Sequence, residues 1–262
     1  SLANLSFVLT DLGYQDFRLD SLHGTVQTNA DSMRGNISLS RLLHPRFPLE
    51  RTTVSVHAAG GRLETDITLL DKAKRTKYAV GTVLRFLPES TIWFSLKPEL
   101  ILNKEDWQVA DSNKIVLQNG ALRSAALSLS QSGQLIRVST KPGEGSSPAL
   151  AVRIQDFRLS TLSALLAKDS LFAEGTVGVE GEVTGLDKQP LISARLKVDS
   201  LRMMNTSVGN LSADVTTPAP GEYAVNAGLT GNGNDVAIKG SYGHSLAFNV
   251  NLNRLNMGSI EP

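Results

Sequence analysis

Four histidines, His23, His44, His57 and His244, are the side chains best suited to proton transfer or metal ligation, and they are scattered along a chain of 262 residues. None has a partner at the short spacing that a metal site needs. His57 alternates with valines, which places it on the polar side of a strand. Serine is abundant, yet no G-x-S-x-G turn presents one as a nucleophile. There is no cysteine, so disulfides, thiolate metal sites and a cysteine nucleophile are excluded. Gly231-Asn232-Gly233-Asn234-Asp235 has the form of a calcium turn. That chemistry needs tandem copies sharing the ion, and a single copy between two strands reads as a hairpin. Glu180, Glu182 and Asp187 could act as acid and base, but they read as solvent-face charges on a strand and a turn. No catalytic residue, metal ligand or cofactor is assigned from the sequence, and the chain is expected not to be an enzyme.

Charge narrows the partners. Lysine and arginine total 26 against 25 acidic residues, a net +1 without a basic stripe, which argues against a nucleic-acid surface. The densest basic run, Asp71 to Lys77 (DKAKRTK), reads as a charged hairpin loop able to touch anionic headgroups at most. Trp93 and Trp107 read as packing residues. No apolar run reaches the ~18–20 residues that cross a bilayer as a helix. The chain enters an apolar stretch, Leu5–Leu9, without a charged leader, so it is expected to be a fragment whose signal or anchor lies elsewhere.

The elements that must carry these side chains alternate with period two, the mark of strands buried on one face. Val54, Val56 and Ala58 alternate with Thr53, Ser55 and His57, and Leu63, Thr65, Ile67 and Leu69 with Arg62, Glu64, Asp66 and Thr68. The pattern recurs through Tyr78–Phe86, Ile92–Leu96, Leu135–Ser139, Leu150–Ile154, Tyr223–Leu229 and Leu246–Leu252. Roughly fifteen strands joined by Gly, Asn and Asp turns predict an all-β, largely antiparallel sheet. Helical signal is confined to an amphipathic stretch, Leu159–Lys168, and a short turn over Leu39–Leu43 stopped by Pro45 and Pro48. Lys141–Pro148 (KPGEGSSP) marks a boundary between an N-terminal β-rich segment, 1–148, and a second unit, 149–262.

Leu171–Val215 carries glycines at 175, 178, 181 and 185, a turn at Pro190, and strands over Ile192–Val198 and Leu211–Val215. With the preceding helix, this unit resembles the AsmA-like superfamily, and within it the TamB-like translocation and assembly module family. Leu100–Val109 (LILNKEDWQV) and Leu127–Val138 (LSLSQSGQLIRV) are similar to its Bacteroidota-type members. The resemblance implies an elongated sheet curled into an open trough with an apolar lining, in the periplasm, on a parent anchored in the inner membrane. It further implies phospholipid acyl chains as cargo, outer-membrane protein assembly, and a BamA/TamA-like barrel as partner. Residues 1–90 lack the glycine punctuation and need not share that fold.

One apolar face on so many strands must be covered, by a second sheet or by something else. The lining expected of a trough is Val54, Val56, Leu63, Ile67, Leu69, Val80, Leu84, Phe86, Phe94, Leu135, Val177, Val179, Ile192, Leu196, Leu211, Val225, Phe248 and Val250. The rival is a structural or adhesive β-solenoid or stalk domain, with a closed core and no ligand.

Overall fold

The computed structural model describes residues 2–43, 49–143, 148–161, 173–186, 189–203, 206–243, 245–256 and 258. Among them are eighteen strands, and every strand pairing described below is antiparallel. The chain divides into two compact units, the described residues up to Gly120 and those from Ala121 onward. Of the expected boundary segment Lys141–Pro148, residues 144–147 lie outside the described residues, and Lys141 pairs with Ala149 within the second unit.

The first unit runs β1 (Ala3–Tyr14), β2 (Phe17–Thr28), β3 (Ser32–Leu43), β4 (Leu49–Ala59), β5 (Arg62–Leu70), β6 (Thr76–Leu87), β7 (Thr91–Leu102), β8 (Glu105–Val109) and β9 (Lys114–Gln118). From β1 to β8 each strand pairs with the next, and β9 returns to β7. The turns suit such a meander. Gly60-Gly61 and Asn103-Lys104 take positive φ at both positions, the mirror-image turn whose twist matches that of paired strands. Pro98 cannot donate to a ladder, and β7 slips register opposite Val80–Thr82, around that proline.

Leu39–Leu43, expected as a helical turn, is the end of β3. Leu39 pairs with Leu22 on one side and Thr52 on the other, so two ladders outweigh the local leucine pattern. The described residues of 1–90 thus form consecutive antiparallel strands, as those of the second unit do.

The second unit runs β10 (Ala121–Gln131), β11 (Gln134–Lys141), β12 (Ala149–Arg158), β13 (Ala173–Thr184), β14 (Leu191–Met203), β15 (Thr206–Ala219), β16 (Glu222–Gly231), β17 (Asn234–Tyr242) and β18 (Leu246–Arg254), each paired with the next. Bulges re-aim side chains. Asp156, at φ 51°, lies where β12 slips against β13, and beyond it Phe157 pairs with Val177 and is buried. Of the expected helix Leu159–Lys168, residues 159–161 are helical and 162–168 lie outside the described residues.

Candidate functional site

Register decides which side chains share a face. In the first unit a row runs Ile37, Val54, Ile67, Val80 and Leu100 across β3 to β7. A parallel row runs Ala58, Leu63, Leu84, Phe94 and Ile115 across β4, β5, β6, β7 and β9. A third joins Leu69, Tyr78 and Leu102. All nine expected lining residues of this unit, from Val54 to Phe94, fall on this apolar face. Sequence reading missed Leu5, Phe7, Leu9, Ile92, Leu100 and Trp107 on the same face, although their period-two spacing carries the signal.

In the second unit one row runs Leu127, Val138, Val152, Gly181, Ala194, Val215, Val225, Gly240 and Phe248. The next runs Leu129, Ile136, Ile154, Val179, Leu196, Ala213, Ala227, Ile238 and Val250. Val177, Ile192 and Leu211 lie on the same face. Leu135 does not. It pairs with Ser130 and Gln155, on the opposite face from Ile136 and Val138, and so leaves the lining.

These faces are only partly covered by their own chain. Leu100 and Trp107 are buried, but Ile67 is 43% and Phe86 53% exposed. On the last strand Phe248 is 62% and Val250 54% exposed. The outer strands carry a shared device. Phe7 of β1 lies over Gly24 of β2, where an added Cβ would meet the ring at 2.1 Å, and Phe248 of β18 lies over Gly240 of β17 in the same way, at 2.5 Å. Each ring covers backbone that a glycine leaves bare. Burial pushes the Tyr78 hydroxyl up to about 12.

The opposite face of the first unit is mixed, with Val83 buried and Trp93 paired to Val116, and it carries an ion-paired cluster. Lys97 Nζ reaches Asp66 at 2.7 Å and Glu64 at 2.9 Å, and its bond holds Glu64 below the usual carboxylate range. The lysine is raised in turn, chiefly by Asp66. Gly81 makes room, since a Cβ there would lie 2.7 Å from the Lys97 stem and 2.8 Å from Asp66. Lys114 Nζ stands 4.3 Å from the Trp93 ring centre.

The other chemistry-bearing residues do not converge. Among the described residues no three His, Asp or Glu side chains are placed to hold a metal ion. His44, His244 and Asp187 lie outside them. Glu180 and Glu182 pair with Arg153 at 3.6 Å and Lys141 at 3.1 Å. The Gly231–Asp235 turn is a clamp of amides. Asn234 Nδ2 donates to the Val208 carbonyl at 2.8 Å, and its Oδ1 accepts from the Asn256 N–H at 2.8 Å.

At one end of the first unit, the β5–β6 loop folds around Asp71. Its carboxylate accepts from Lys104 Nζ at 2.7 Å, and from the Arg75 backbone N–H at 2.9 Å and guanidinium at 3.1 Å. Lys104, then Arg75, hold this carboxyl well below the usual range. A lowered folded-state value means that its contribution is complete above about pH 4 and is lost as pH falls further. Amide protection of Asp71 and Arg75 should therefore fall on acidification below about pH 4. In Asp71→Asn it should be low at neutral pH and show no acid step. Hydrogen exchange, normalised for intrinsic rates, checks both.

No family model, curated protein or solved structure matches the chain.

Proposed function

We propose that the apolar faces hold phospholipid acyl chains, and that the protein is a non-enzymatic, TamB-like component of the cell envelope serving phospholipid movement between membranes. The observation that carries the reading is register. In each unit a mainly apolar face crosses strand after strand, interrupted in the first unit by Thr52, Thr65 and Thr82, and its own chain leaves part of that face exposed. Burial of each CH₂ against such a face contributes about 0.8 kcal/mol, without directional demands. A surface of this kind lets a chain slide, and it requires no polar constellation. Exposed apolar patches beyond a few hundred Å² mark interaction sites in soluble proteins. The stalk alternative needs a closed core, and the exposure of Ile67, Phe86, Phe248 and Val250 weighs against it.

A second reading, pairing with a strand of a nascent outer-membrane protein, draws on β18. Within the second unit this strand pairs with β17 alone among the described residues, is exposed along its whole length, and carries no proline. Such an edge can accept another strand. The sequence resemblance adds a BamA/TamA-like barrel as the partner in that process.

Native mass spectrometry of the protein, purified without harsh detergent, tests the first reading. Co-purifying phospholipid, or stoichiometric uptake from added lipid, is the expected result. A chain that is lipid-free and ignores added phospholipid would overturn it.

A further inference from the structure

The loop that folds around Asp71 is more than a solvated hairpin tip, because it gathers cations from distant strands. Residues 72–77 contribute Lys72, Lys74, Arg75 and Lys77 with no acidic residue among them. Arg51, at the start of β4, reaches across to donate to the carbonyls of Asp71 at 3.0 Å and Lys72 at 2.9 Å. Lys104, in the β7–β8 turn, is tied in by its backbone N–H to the Lys77 carbonyl at 2.8 Å and by its ammonium to Asp71. Six cations thus share one rim of the first unit with Glu50, Asp71, Glu105 and Asp106, and Asp71 is already held by two of them. Six cations against four acids leave this rim with a formal excess of two positive charges, and Lys77 is depressed below the ordinary lysine range, first by burial and then by the Lys104 charge. Directly next to this rim lies the apolar row Leu69, Tyr78 and Leu102.

We propose that this rim is a headgroup site for an anionic glycerophospholipid, taking the phosphodiester among Arg51, Lys72, Lys74, Arg75 and Lys104 while the acyl chains lie on the adjoining apolar face. The proposal rests on the acyl-chain reading and sharpens it to a lipid class. Lys72, Lys74, Arg75 and Lys104 are exposed, and the hydrogen bonds around Asp71 fix the loop, so little ordering accompanies binding.

The test is binding to phosphatidylcholine vesicles with and without phosphatidylglycerol, for the unaltered chain and for Lys72→Glu with Lys74→Glu. Both substituted side chains lie outside the Asp71 ion pairs, so the loop keeps its frame. The unaltered chain should bind phosphatidylglycerol-containing vesicles roughly tenfold or more tightly, a gap that closes in the variant and at about 1 M salt. Binding to phosphatidylcholine should be the same in both. Equal binding of the two vesicles by the unaltered chain, or a preference that survives both the variant and high salt, overturns the site. So does competition by soluble glycerol phosphate at vesicle-equivalent concentration, which would mark a free-phosphate site. Failure of the acyl-chain reading is distinguishable, because it removes lipid uptake whatever the headgroup.

Discussion

Gly209→Ala is expected to lower the stability of the second unit by about 3–5 kcal/mol, the sum of backbone strain and a forced contact. Gly209 has φ 122°, a region that side chains rarely occupy. A Cβ there would also lie 2.3 Å from the Thr230 carbonyl oxygen and 3.0 Å from that of Gly231. Backbone cannot yield as the end of a side chain does. The neighbourhood is tied down as well, since Asn210 Oδ1 accepts from the Ser200 N–H at 2.8 Å and Asn234 holds the Val208 carbonyl. Gly221→Ala is the control. Its φ is 81° but nothing lies within 4 Å of the added carbon, so it should cost only about 1–2 kcal/mol. Urea midpoints of the two variants separate the contributions. Equal shifts would mean that conformation alone, and not the Thr230 carbonyl, fixes glycine at 209.

Much of this architecture was legible because one-sided burial imposes its period directly on the residues. Val54, Val56, Leu63 and Ile67 declare their common face before any partner strand is known. Where a strand is apolar in both phases, the sequence offers two answers. Gln134-Leu135-Ile136-Arg137-Val138 is such a case, with Leu135 in one phase and Ile136 and Val138 in the other. The ladder chooses the second, matching them to Leu129 and Leu127 on one side and to Ile154 and Val152 on the other. Leu39–Leu43 failed for a related reason, because a leucine-rich run has no period of its own and only its two neighbours make it a strand. Of the cationic rim, only the Asp71–Lys77 run was legible in the sequence. Arg51 and Lys104 stand more than twenty residues from Lys74 in opposite directions, and only the register of β4 to β8 brings them to the loop.

The same register yields a sharp functional contrast. A chain carrying Ile67→Asp and Phe86→Asp is expected to keep its fold and to bind phospholipid on the order of a hundredfold more weakly. Both side chains are about half exposed, so little core is lost. On the lipid-bound surface, however, each substitution removes apolar contact worth about 1.5–3 kcal/mol at most and sets a carboxylate against acyl chain, where it cannot be solvated. Two such changes exceed the ~2.7 kcal/mol that a hundredfold requires. Leu135→Asp introduces the same charge in place of the same kind of side chain, but on the face shared with Ser130 and Gln155. It should leave lipid affinity unchanged. Lipid titration followed by native mass spectrometry, with circular dichroism to establish that all three chains are folded, reads the difference. If Leu135→Asp weakens binding as much as the double variant, the apolar face is not the lipid surface. If the folded double variant binds at full strength, acyl chains do not lie over β5 and β6.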